Sequence, residues 1–198
     1  MRNYFRLQGL RSALSRATRA TSLMALCVFA QSATAQGFDW NSTKSRESID
    51  GWLRKLAEQC GQLGFTALTP PEPATMEKRI YSRLLLKPKF EADAEVNRWG
   101  GFVAEMQNLA KPDAVEAAAE RAGAALTAAT VDPSSHEAAR RQYVQSITGA
   151  MTPFLNACRS AAADPFVGAN YLSGSGSLAA FERKAEEQFD GEVKKVSE

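Results

Sequence analysis

The chain has 198 residues, 44% of them hydrophobic and 23% charged, with a formal net charge of +2, three cysteines and one histidine. A single histidine excludes His-rich metal centres and leaves at most one imidazole for acid–base work. The absence of a basic stripe, and of basic residues interleaved with aromatics, excludes nucleic acid as a partner.

The chain opens with Arg2, Arg6, Arg11, Arg16 and Arg19 and has no Asp or Glu in that stretch. An apolar run from Ala20 to Ala30 follows, too short to span a bilayer but long enough to engage a translocon. Ala33-Thr34-Ala35 then presents small side chains to a signal peptidase, so residues 1–35 read as a secretory signal and Gln36 as the mature start. Leu26 before Cys27 is too large for lipoprotein processing. The compact apolar run and the A-x-A site favour secretion over a mitochondrial transit peptide. Cleavage removes five arginines and turns the net charge from +2 to −3.

In the mature chain, Ile49, Trp52, Leu53, Leu56, Cys60 and Leu63 fall at spacings of three and four, one stripe of a helix over 46–63 that Gly64 closes. Thr69-Pro70-Pro71-Glu72-Pro73 cannot be helical, because each proline lacks an N–H and pushes its predecessor toward extended geometry; it reads as a polyproline linker. From Met76 the residues Ile80, Tyr81, Leu84 and Leu85 fit a helix that Pro88 ends, with a strand over 80–86 as the alternative. Phe90, Trp99, Phe102, Val103, Met106 and Leu109 outline another apolar face, interrupted by Gly100-Gly101. Residues 113–130 form an alanine-rich helix. Asp132-Pro133 reads as N-cap and N1 of the longest helix, whose stripe runs from Ala139 to Cys158 and which Pro153 should bend. After Asp164-Pro165 the chain reads as irregular, ending in a flexible Ser173–Ser177 tether. A short amphipathic helix from Leu178 then carries Phe181, Ala185 and Phe189 on one side.

Two cysteines survive cleavage, Cys60 and Cys158, each on the apolar stripe of its helix. In an exported protein an even pair is most simply a bridge, and a loop of about 100 residues closed this way is worth up to about 4 to 5 kcal/mol. The chemistry is sparse. His136 falls in the first turn of a helix, and Gly174-Ser175-Gly176 lacks the strand and helix of a nucleophile elbow. Asn41-Ser42-Thr43 matches a glycosylation sequon that matters only in a eukaryotic secretory pathway. Glu91, Asp93, Glu95 and Glu105 surround Trp99 in sequence, the one grouping from which a glycan hydrolase could be built.

These readings predict an all-α fold: an irregular bundle of five or six helices at 36–172, one inter-helix disulfide, and a tethered C-terminal helix at 173–198. The expected compartment is the periplasm or the exterior, with no stable membrane insertion of the mature chain. The expected function is non-catalytic binding of another envelope protein, as adaptor, assembly factor or immunity-type inhibitor, with no cofactor and no metal or catalytic residue. A small cell-wall glycan hydrolase is the alternative. The expected contacts are Pro70, Pro71 and Pro73 in the linker and Leu178, Phe181 and Phe189 on the terminal helix, because a polyproline stretch is preordered and an amphipathic helix can lie in a groove.

Overall fold

A computed structural model describes residues 39–197, so the expected signal sequence, residues 1–35, and its expected cleavage site lie outside the described residues. The protein is all-α, with seven α-helices and one short pair of strands among the described residues. They are α1 (Thr43–Gly61), β1 (Thr66–Ala67), α2 (Pro73–Leu85), α3 (Lys89–Leu109), α4 (Pro112–Val131), α5 (His136–Ala163), α6 (Pro165–Asn170), β2 (Leu172–Ser173) and α7 (Ala179–Ser197). A 3-10 turn, Pro133–Ser135, precedes α5. The chain divides into two compact units: one holds Ala110–Thr152 with Leu178–Glu198, the other Pro153–Ser177 with the described residues up to Leu109. The boundary crosses α5 at Pro153, whose ring nitrogen cannot donate to the helix ladder.

The second of these, the disulfide unit, is built on α1. Ser42 caps that helix, its hydroxyl accepting from the Ser45 amide at 3.2 Å. The stripe Ile49, Leu53, Leu56 and Cys60 is buried, and α1 packs against α2 and α3. Gly64, at φ +78°, turns the chain into β1. Residues 80–85 are helical and Leu86 is the C-cap, so this stretch is not a strand: Met76, Ile80 and Leu84 are fully buried at helical spacing. Gly100 and Gly101 lie within α3, which continues through both. Cys60 and Cys158 are joined by a disulfide with Cα atoms 5.7 Å apart.

The span up to residue 172 holds six helices, the sixth being the short α6, and α7 follows as the C-terminal helix. The stretch read as irregular begins with Asp164, which caps α6 by accepting from the Phe166 and Val167 amides at 2.9 and 3.0 Å, with Pro165 at the first helical position. The Ser173–Ser177 stretch, read as a flexible tether, is held at several points. Leu172 and Ser173 pair antiparallel with Ala67 and Thr66, the Ser177 amide donates to the Leu63 carbonyl at 2.8 Å, and Arg159 donates to the Ser175 carbonyl. Gly176, at φ +65°, lies so close to Phe65 and Leu155 that any β-carbon there would overlap both side chains.

The other unit has its own core of Ala122, Ala125, Ala129, Ala139, Tyr143, Ala185 and Phe189, flanked by Leu126, Val144, Ile147 and Val193. Small residues on α4 let α7 approach closely, and these two helices pack together. Phe189 has no exposed surface, and its ring is tilted against those of Tyr143 and His136 at 5.6 and 5.3 Å.

Candidate functional site

Most of the buried charge in the disulfide unit is consumed by the fold. Asp50, on the buried face of α1, accepts from Tyr171 Oη at 2.8 Å and from Arg54 Nε at 2.7 Å. Burial pushes the Tyr171 phenol far above its ordinary range, and the neighbouring Asp50 carboxylate adds to the shift. Arg46, also buried, meets Glu77, donates to the Trp40 carbonyl at 3.0 Å, and places its guanidinium 4.6 Å from the Tyr81 ring centre. Glu95, 2% exposed on α3, is ringed by cations: Arg83 at 2.6 Å, Lys87 at 3.4 Å and Arg98 at 3.5 Å. Asp164 accepts from Arg98 at 2.8 Å and from Trp99 Nε1 at 3.3 Å besides capping α6. Burial opposes its ionisation, but the Val167 and Phe166 amides and Arg98 outweigh that and hold its carboxyl below the usual range.

This arrangement bears directly on the carboxylates grouped around Trp99 in sequence. Trp99 is 1% exposed, stacked on Phe166 at 4.7 Å, so its ring offers no platform to a sugar. Glu95 is locked among its three cations, and Glu91 and Glu105 are exposed. The hydrogen bond from Lys89 lowers the pKa of Asp93 against a smaller effect of burial, with further help from the charge of Lys89 and from Trp40 Nε1 at 3.1 Å. Among the described residues no group of three His, Cys, Asp or Glu side chains could hold a metal ion. His136 stands half-exposed at the start of α5, its Nε2 3.9 Å from Asp190.

The residues expected to meet a partner are dispersed. Pro70 and Pro71 are half-buried, and the Pro71 carbonyl accepts from Arg54 Nη2 at 2.7 Å, which ties the linker to α1. Pro73 is not in the linker at all but is the first residue of α2, where a missing N–H is harmless. Leu178 and Phe181 are half-buried, and Phe189 is in the core of its own unit.

A different surface stands out. Among the described residues, four of the five exposed large hydrophobic side chains lie between Tyr81 and Phe90: Tyr81 at 36%, Leu85 at 54%, Leu86 at 88% and Phe90 at 72%, with Val131 the fifth. Leu84, Leu85 and Leu86 cannot all face inward on one helix, and Leu84 takes the buried position. Leu85 and Leu86 continue the outer face of α2, on which Thr75, Lys78, Arg79 and Ser82 precede them at helical spacing. Those four residues, with Arg83, Phe166 and Asn170, line an open groove of about 460 Å³. Arg79 donates to Asn170 Oδ1 at 3.1 Å, and Arg83 lies 5.5 Å from the Phe166 ring centre.

No protein-family model matches the chain, and no curated protein or solved structure matches it either.

Proposed function

We propose that this chain is an exported, non-catalytic helical protein that binds another protein of the cell envelope, as an adaptor, assembly factor or immunity-type inhibitor. The observation that carries this reading is the clustering of exposed Tyr81, Leu85, Leu86 and Phe90 at the α2–α3 corner. Exposed apolar patches of this kind mark contact surfaces, and covering a leucine or phenylalanine from water contributes about 1.5 to 3 kcal/mol. The disulfide and the basic, apolar leader support export. Among the described residues no helix is long and apolar enough to cross a membrane.

Leu86→Glu combined with Phe90→Glu tests the reading. Both side chains are already exposed, so the variant keeps its thermal midpoint, while the complex that carries the protein in native gels of envelope extracts disappears. An unchanged complex overturns the assignment of the corner. Intact mass of the purified protein checks export: a chain starting at Gln36 supports it, and a retained leader overturns it.

A further inference from the structure

We infer that the partner segment that covers the α2–α3 corner is acidic as well as apolar, its carboxylates held by Lys78 and Arg79 in the groove beside Leu85 and Leu86. This inference rests on the docking reading and specifies its chemistry.

The stretch Lys78–Phe90 holds Lys78, Arg79, Arg83, Lys87 and Lys89 and no Asp or Glu, in a mature chain whose balance is acidic. Three of these cations already have carboxylate partners, Arg83 and Lys87 on Glu95 and Lys89 on Asp93. Lys78 has no carboxylate partner among the described residues, and Arg79 has only the neutral amide of Asn170. The two uncompensated charges therefore fall on one helix face, a turn or two before the apolar tip. The hydroxyls of Thr75 and Ser82 line the groove beside them. An apolar anchor with a polar, charged rim is the anatomy of a protein interface. A lipid surface fits less well, since two free cations strengthen binding to an anionic leaflet only about thirtyfold, and directional hydroxyl and amide groups have no use there.

The test places a photoreactive benzoylphenylalanine at Leu86 of the full chain, irradiates producing cells and sequences the cross-linked peptide. The same is done with Lys78→Glu and Arg79→Glu added, or with Lys78→Ala and Arg79→Ala where charge reversal disturbs folding. The expected result is a peptide from another protein that carries acidic residues among apolar ones, with its yield reduced at least about tenfold by the groove substitutions. A cross-linked peptide without acidic residues, or a yield indifferent to Lys78 and Arg79, overturns this inference and leaves the docking reading standing. Adducts confined to lipid or to a second copy of this chain overturn both, as does the absence of any adduct.

Discussion

Tyr171 donates its hydroxyl hydrogen to Asp50 at 2.8 Å across 121 residues of sequence, joining the end of α6 to the buried face of α1. The bond carries a pH signature. With its pKa raised on folding, Tyr171 keeps its proton in the folded chain at pH values where the unfolded chain has lost it, so its stabilising contribution is complete below about pH 10 and is lost above. Tyr143 shifts the same way, by burial and by the charge of Glu192. Denaturant titrations should therefore show stability falling as pH rises past about 10. Tyr171→Phe should lower stability at neutral pH by about 1 to 3 kcal/mol and flatten that alkaline fall. An unaltered alkaline slope in the variant would count against the assignment.

Asp164 gives the opposite sign. Its carboxyl titrates below the ordinary range in the folded chain, so its contribution is present above about pH 4 and is lost as pH falls through the folded value. Asp164→Ala strips α6 of its cap and leaves Trp99 Nε1 without its acceptor, for a loss of about 3 kcal/mol. Asp132, which accepts from the Ser134 amide at an exposed turn, is the control: Asp132→Ala should cost no more than about 1 kcal/mol. Equal losses from the two substitutions, measured by chemical denaturation, would contradict the difference in their surroundings.

Cys60→Ser and Cys158→Ser should each destabilise by up to about 4 to 5 kcal/mol, and the double substitution should add nothing, since one bond is lost in every case. Thiol titration of the purified, denatured but unreduced protein should find no free sulfhydryl. Two reactive thiols would refute the bridge.

Phe189 lies in the core of its unit, so Phe189→Ala should cost about 3 to 5 kcal/mol, whereas Phe181→Ala, at a half-buried position, should cost much less. Removing residues from Leu178 onward should expose the α4 surface and unfold that unit. A truncation that retains full helicity by circular dichroism would show α7 to be dispensable.

Much of this architecture is legible in the residues themselves. The stripes on α1, α2 and α5 announce their buried faces because helical spacing puts those side chains on one side, and the same reasoning aims Cys60 and Cys158 inward. The short helix α6 escapes detection because six residues are too few to establish a period, although its Asp164-Pro165 start has the same form as Asp132-Pro133. The α2–α3 corner escapes for another reason. Three consecutive leucines and a nearby phenylalanine count as core in any apolar tally, and only packing reveals that Leu84 alone of the three turns inward. The cations around Glu95 come from α2, from the connection after it and from α3 itself, and pairings between elements leave no mark on the periodicity of any of them.

The division of the disulfide unit between two separated stretches sets a schedule for its maturation. Cys60 leaves the ribosome 98 residues ahead of Cys158, and the whole of Ala110–Thr152 must be made in between. Through that interval Cys60 lacks its Cys158 partner, and Asp50 on α1 waits for the hydroxyl of Tyr171. Closing the bridge thus waits on Cys158, and the unit's two stretches, residues 39–109 and 153–177, can meet only after the intervening segment has been made.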